Sequence, residues 1–206
     1  EIQQGIIYSG QPKEKVFSNE MLTEEYKKVL DGRDVLKWVI NWDEKKENKY
    51  IKYNDDLHRP REERIFLAEE KILLPRKSKN ISCALDTEQY YALNTAYICL
   101  IKDSVKGKLN IKYVIACLNS KLYNYYYKNT YLGWQITIPA LNSLPIIIVN
   151  ESIQNEISYL VDEVIEYSKS KQAGNKIKTI EEQLNEYIYN VFSLSHDEIA
   201  IIEKEL

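Results

Sequence analysis

From residue 151 onward the apolar positions fall on a helical period. Ile153, Ile157, Leu160, Val161, Val164 and Ile165 recur at spacings of three, four and one, which places them on one face of an amphipathic helix running to about Ser170. A turn is expected over Lys171-Gln172-Ala173-Gly174-Asn175. Ile177, Ile180, Leu184, Ile188 and Val191 then repeat the spacing, so the two helices predict an antiparallel hairpin. Ser195 followed by Glu198 has the Ser-x-x-Glu form of a capping box and predicts one more short helix.

Before residue 150 the pattern is shorter in range. Apolar or β-branched runs at residues 5–8, 38–42, 50–53, 71–74, 81–85 and 95–101 predict strands separated by charged loops. The run from Pro145 to Val149 predicts a further short, buried strand. Two stretches carry helical spacing instead. Glu24 to Leu30 is short. Ile111 to about Tyr126 is long, with Asn110 as N-cap and Ile111, Val114, Ile115, Leu118, Leu122, Tyr125 and Tyr126 on one face. The expected fold is therefore α+β: a mixed-sheet domain over residues 1–150, followed by a helical hairpin or spacer over 151–206.

Composition narrows the class. Of 206 residues 44% are apolar and 29% charged, with only 6 Gly and 5 Pro, which excludes disordered, collagenous and linker-like chains. No apolar run reaches the roughly 18 residues of a membrane span, so no membrane partner is expected. The chain opens Glu1-Ile2-Gln3 without Met or a secretory leader, and is expected to be a fragment of a longer cytoplasmic polypeptide. Cys83, Cys99 and Cys117 are odd in number and set in apolar sequence, the pattern of reduced core thiols. With only two histidines and no paired cysteines, no metal site is expected.

The net charge of −3 conceals an asymmetry. Residues 1–150 carry 23 Lys+Arg against 19 Asp+Glu, net +4, whereas residues 151–206 carry 5 against 12, net −7. Residues 59–137 alone hold 13 basic and 7 acidic side chains. A local basic surface attracts polyanions even on an acidic molecule, because salt screens the rest beyond about 8–10 Å.

Catalytic patterns are missing. There is no Gly-x-Gly-x-x-Gly, Gly-Lys-Ser/Thr, Gly-x-Ser-x-Gly or His-Glu-x-x-His. Asp55-Asp56 with Glu69-Glu70-Lys71 resembles the parts of a metal-dependent nuclease site, although a solvated charged face is the simpler reading of such common residues. No catalytic residue is assigned. Binding chemistry is better represented. Arg76, Lys77 and Lys79 form a cationic turn after an apolar run, Arg33 follows Gly32 in a second turn, and Lys128, Tyr131, Trp134 and Gln135 occupy the loop after the aromatic helix. Cations suit phosphates, an indole suits stacking, and an amide suits a base edge. These eight residues are the candidate DNA contacts. The 76–79 turn and the 128–135 loop are expected on one side of the fold.

Five segments in order also carry a resemblance: Glu1-Ile2-Gln3-Gln4-Gly5-Ile6, Leu30-Asp31-Gly32-Arg33-Asp34-Val35, Lys71-Ile72-Leu73-Leu74-Pro75-Arg76, Leu118-Asn119-Ser120-Lys121-Leu122 and Leu144-Pro145-Ile146. Together they resemble the TaqI-like C-terminal specificity domains, the target-recognition domains of restriction-modification enzymes and adenine-specific DNA methyltransferases. The resemblance implies double-stranded DNA and a catalytic domain of the same polypeptide as partners. It implies that this fragment is not itself an enzyme. Its parent would be an adenine-specific methyltransferase, with or without a fused endonuclease, using S-adenosylmethionine and Mg2+; no cofactor is expected in this chain. The alternative from a different class is a protein-interaction or structural module whose working part is the acidic hairpin.

Overall fold

Lys71 to Pro75 form a strand in which every residue is buried, and the reason is visible in where alternate side chains go. A computed structural model describes residues 1–131, 133, 135–170 and 174–205. The strands are β1 (Ile2–Gln4), β2 (Phe17–Ser18), β3 (Tyr26–Leu30), β4 (Tyr50–Lys52), β5 (Lys71–Pro75), β6 (Ala84–Asp86), β7 (Tyr91–Ala92) and β8 (Ala96–Cys99). They build two four-stranded sheets, ordered β1-β8-β5-β6 and β2-β4-β3-β7. The first is wholly antiparallel, with Ile72 opposite both Leu85 and Cys99. The second is mixed, since β3 pairs antiparallel with β4 and parallel with β7.

Ile72, Leu74, Tyr97 and Cys99 enter one hydrophobic core, while Leu73, Ala96 and Ile98 enter the other. With period two, the first sheet buries both faces at its central strands and becomes the middle layer, so β5 and β8 read as largely apolar runs. One core lies against the second sheet and the other against the helices.

The helices are α1 (Lys13–Val16), α2 (Ile111–Asn119), α3 (Lys121–Thr130), α4 (Ile138–Asn142), α5 (Glu151–Lys169), α6 (Gly174–Val191) and α7 (His196–Glu205). Ile157, Val161 and Val164 of α5 and Ile180, Leu184 and Ile188 of α6 share a core with Ile115 and Leu118 of α2. Asn150, where charge and periodicity change, caps α5 by accepting a hydrogen bond from Ile153 N at 2.9 Å. The core nevertheless continues across that position. Ser195 and Glu198 make the reciprocal bonds of a capping box ahead of α7.

Several sequence expectations are corrected. Glu24 to Leu30 is not a helix, because Tyr26–Leu30 is strand β3, hydrogen-bonded on both sides. Its Glu, Lys and Leu residues favour helix locally, and sheet pairing with burial of Val29 and Leu30 outweighs that preference of a few tenths of a kcal/mol per residue. The helix expected from Ile111 to Tyr126 is two helices. Ser120 is extended at φ −72°, ψ 157° and caps α3, which rotates the buried face onto Tyr123 and Tyr127. Tyr126 is 41% exposed and Tyr125 only half-buried, so neither is the core residue the unbroken period predicted.

Pro145–Val149 forms no strand, and Ile147 and Ile148 are exposed. Side chains satisfy its carbonyls instead. Tyr113 donates to Ile147 O at 2.8 Å, Gln154 to Val149 O at 2.9 Å, and Tyr123 to Pro145 O. The runs at 5–8 and 38–42 make only isolated bridges. Residues 171–173 of the expected turn lie outside the described residues.

Candidate nucleic-acid interface

The Asp31-Gly32-Arg33 turn sits against the end of the middle sheet because position 32 has no side chain. Gly32 N donates to Thr95 Oγ1 at 2.9 Å, and a Cβ there would stand 2.3 Å from Thr95 O. That same Thr95 carbonyl accepts from Arg76 N at 2.8 Å. One threonine thus joins the start of the Arg33 turn to the start of the Arg76–Asn80 turn, two segments distant in sequence.

Each turn is braced from within. Asp34, buried, accepts from Asp31 N at 3.0 Å and from Lys49 Nζ at 2.8 Å, pairing one buried charge with another. Asp31 accepts from Arg33 N at 2.7 Å and from Arg33 Nη2 at 2.6 Å. Burial would raise the Asp31 carboxyl, but these hydrogen bonds outweigh it and hold the group below its ordinary value. The Arg33 side chain is aimed by Asp31 yet remains 92% exposed. On the second turn Ser78 Oγ donates to Asn80 O at 2.6 Å, and Asn124 holds Ile81 through both its backbone groups, at 2.7 and 3.1 Å.

A third element completes the surface. Residues 36–39 make a tight turn closed by Leu36 N donating to Val39 O at 2.9 Å. Trp38 has φ +73°, a strained value for a bulky residue. It is held there by its N–H on Cys83 O at 3.0 Å and its indole on Glu181 of α6 at 2.6 Å. Lys37 pairs with the same Glu181 at 2.6 Å. The three elements enclose an open depression of about 460 Å3 whose rim carries Arg33, Leu36, Lys37, Lys77, Asn80 and Asn124. No carboxylate lines it among the described residues.

Of the candidate contacts, Arg33 and Lys77 meet at this depression, while the half-buried Arg76 places its guanidinium beside the Tyr97 hydroxyl and does not line it. Lys79 is exposed on the same turn. The loop after α3 approaches from the side, since Ile136 N donates to the Arg76 carbonyl at 2.9 Å and leaves the neighbouring Gln135 exposed. Tyr131 is half-buried against Tyr127 and hydrogen-bonded to Ser143. Lys128 points elsewhere: its ammonium donates to Glu205 O of α7 at 3.1 Å. Trp134 lies outside the described residues. Sequence reasoning missed Leu36, Lys37 and Asn80. Asn80 ends the cationic run and Lys37 follows Arg33 by four, but only the meeting of the loops gives either a role.

The nuclease-like residues do not assemble. Lys71 is fully buried, 2.7 Å from Asp86 and 2.6 Å from Phe66 O, while Glu69 and Glu70 are exposed. Burial lowers the Lys71 ammonium and Asp86 counters it. Asp86 also accepts from Glu88 N and Tyr90 N, so the pair ties a loop to the sheet. No cluster of three metal-binding side chains occurs among the described residues. All three cysteines are free and buried, and burial pushes Cys99 and Cys117 up to about 12. The Leu118–Leu122 segment is a joint: Asn119 brackets Cys83 with bonds of 2.8 and 3.0 Å, and Ser120 caps α3.

Comparison with known proteins bears on this arrangement. No curated protein sequence matches. Among solved structures, the Type IIL restriction-modification enzyme MmeI, determined in complex with DNA, superposes with a TM-score of 0.61 at 13% identity. The match covers 97% of this chain and 34% of that one, so the chain spans about a third of MmeI, and at that identity the likeness is one of fold. A family model, the TaqI-like C-terminal specificity domain, matches residues 27–146, from β3 through both turns and the helices α2 to α4. The chain belongs to the TaqI-like C-terminal specificity domain family.

Proposed function

We propose that this chain is the DNA target-recognition module of a restriction-modification enzyme. It positions a duplex for adenine methylation, and for cleavage where an endonuclease is fused, by a catalytic domain elsewhere in the same polypeptide. Carrying the reading is the depression where the Arg33 and Lys77 turns meet, lined by no carboxylate among the described residues. Cations there contact phosphates and fix register, while neighbouring polar and apolar groups face base edges. S-adenosylmethionine and Mg2+ belong to the catalytic part, and the residues of this chain contribute binding and selection.

The test is duplex binding by the full-length polypeptide over a salt series. Log affinity should fall linearly with log salt, with a slope set by the number of phosphates neutralised. Binding to no duplex at low salt would overturn the proposal.

A further inference from the structure

We propose that Leu36 and Asn80 together read one A·T base pair through the major groove, Asn80 on the adenine and Leu36 on the thymine methyl. The inference deepens the DNA-recognition reading above and rests on it. Both residues line the depression between the Arg33 and Lys77 turns.

Asn80 is singled out by what its amide does not touch. Two asparagines line the depression. Asn124 has its amide engaged by Ile81 N, Ile81 O and Ser120 O. The exposed Asn80 amide makes no hydrogen bond among the described residues, although its backbone is locked to Ser78 on both sides, through Asn80 N at 3.3 Å and Asn80 O at 2.6 Å. A free donor and acceptor on a fixed turn is a preorganised edge reader, because little ordering remains to be done on binding.

Leu36 supplies the apolar half. It is 46% exposed at the base of a turn closed by its own hydrogen bond to Val39 O and fixed by the two anchors of Trp38. The depression around it is lined by cations, amides and serines together with the buried Val35 and Ile81, and about half of Leu36 stays uncovered among the described residues. Half a leucine is enough to cover one methyl group. Lys37 is excluded as the reader, since its ammonium is already held by Glu181 and lies 5.5 Å over the Trp38 ring.

The base pair follows from the chemistry of the two side chains. Adenine offers an N7 acceptor and an N6 donor side by side, the complement of an amide, and its partner thymine offers a C5 methyl in the same groove. A G·C pair presents two acceptors on guanine and no methyl, leaving Asn80 mismatched and Leu36 without a contact. In the minor groove an A·T pair shows acceptors only, so neither feature would be used. Lys77, exposed on its turn, and Arg33, whose guanidinium is aimed by Asp31 yet remains exposed, are placed to contact phosphates beside the pair.

The experiment selects random-sequence duplexes with the full-length polypeptide, for the wild type, Asn80→Ala, Asn80→Asp and Leu36→Ser. It is repeated with deoxyuridine in place of thymidine, which removes only the methyl. The wild type is expected to enrich a motif containing an A·T pair. Both Asn80 variants should lose preference at that pair by about tenfold or more and keep the rest of the motif. Leu36→Ser on thymidine duplexes should match the wild type on deoxyuridine duplexes at that pair, and the two changes combined should cost no more than either alone. Thermal unfolding should be unchanged, since both side chains are exposed. Retention of the motif by all variants, or losses at separate positions, would overturn the inference while leaving DNA recognition intact. Enrichment of no motif by the wild type would instead overturn the recognition reading, and the inference with it.

Discussion

The acidic helical hairpin and the basic end of the middle sheet are built on opposite plans. In the hairpin, regular period and burial coincide: Ile157, Val161 and Val164 of α5 meet Ile180, Leu184 and Ile188 of α6, and the outer face carries most of the net −7 of residues 151–206. At the sheet end there is almost no regular structure. Three turns are held by a glycine under a carbonyl, a tryptophan at positive φ and asparagine brackets, and together they present cations with no lining carboxylate among the described residues. Stability is concentrated where backbone geometry is ordinary, and chemistry where it is not, because irregular turns alone project several unlike side chains from distant segments toward one point. The two regions are joined rather than separate. Glu181 of α6 accepts from both Lys37 and Trp38, so the hairpin braces the turn that carries Leu36.

That division is open to test by substitution. Leu184→Ala removes a buried side chain from the hairpin core and should lower stability by about 2–5 kcal/mol, read by urea unfolding. Sequence preference on DNA, measured on the folded protein, should stay the same; a changed preference would break the distinction between the regions. Gly32→Ala probes the joint between turn and sheet. With its Cβ 2.3 Å from Thr95 O, it should destabilise by about 1–3 kcal/mol and also weaken duplex binding, since the Arg33 turn must shift away from Arg76. Loss of stability with unaltered binding would detach Arg33 from the interface. Lys77→Ala has the smallest effect and the most selective one. It should leave thermal unfolding unaltered, weaken all duplexes about equally, and reduce the salt slope by about one unit. A loss confined to one sequence would make Lys77 a base reader instead of a phosphate contact.

Much of the α+β class was legible from local pattern. The hairpin helices, the cap at Asn110 and the capping box at Ser195 depend on spacings within about twenty residues, and such short-range rules survive whatever the chain packs against. β5 was equally plain, because a strand buried on both faces reads as a continuous apolar run, here Ile72 to Pro75 after the paired Lys71. The failures share one cause. β3 reads as helix until β4 and β7 pair with it, and Pro145–Val149 reads as strand until Tyr113, Tyr123 and Gln154 take its carbonyls.

For the candidate site, the amino-acid sequence by itself determined the supply of charge: a basic middle, an acidic end and cationic turns around Arg33 and Lys77. Those follow from composition and hold for any fold. Tertiary structure alone decided which cations share a surface. Thr95 brings the Arg33 and Arg76 turns together across some forty residues, and α7 draws Lys128 away to the Glu205 carbonyl. It also decided which polar groups remain available, since Asn80 and Asn124 are the same residue type in the same depression and differ only in what the folded chain places beside their amides. A hydrogen bond between segments far apart in sequence depends on the whole packing, and no local spacing encodes it.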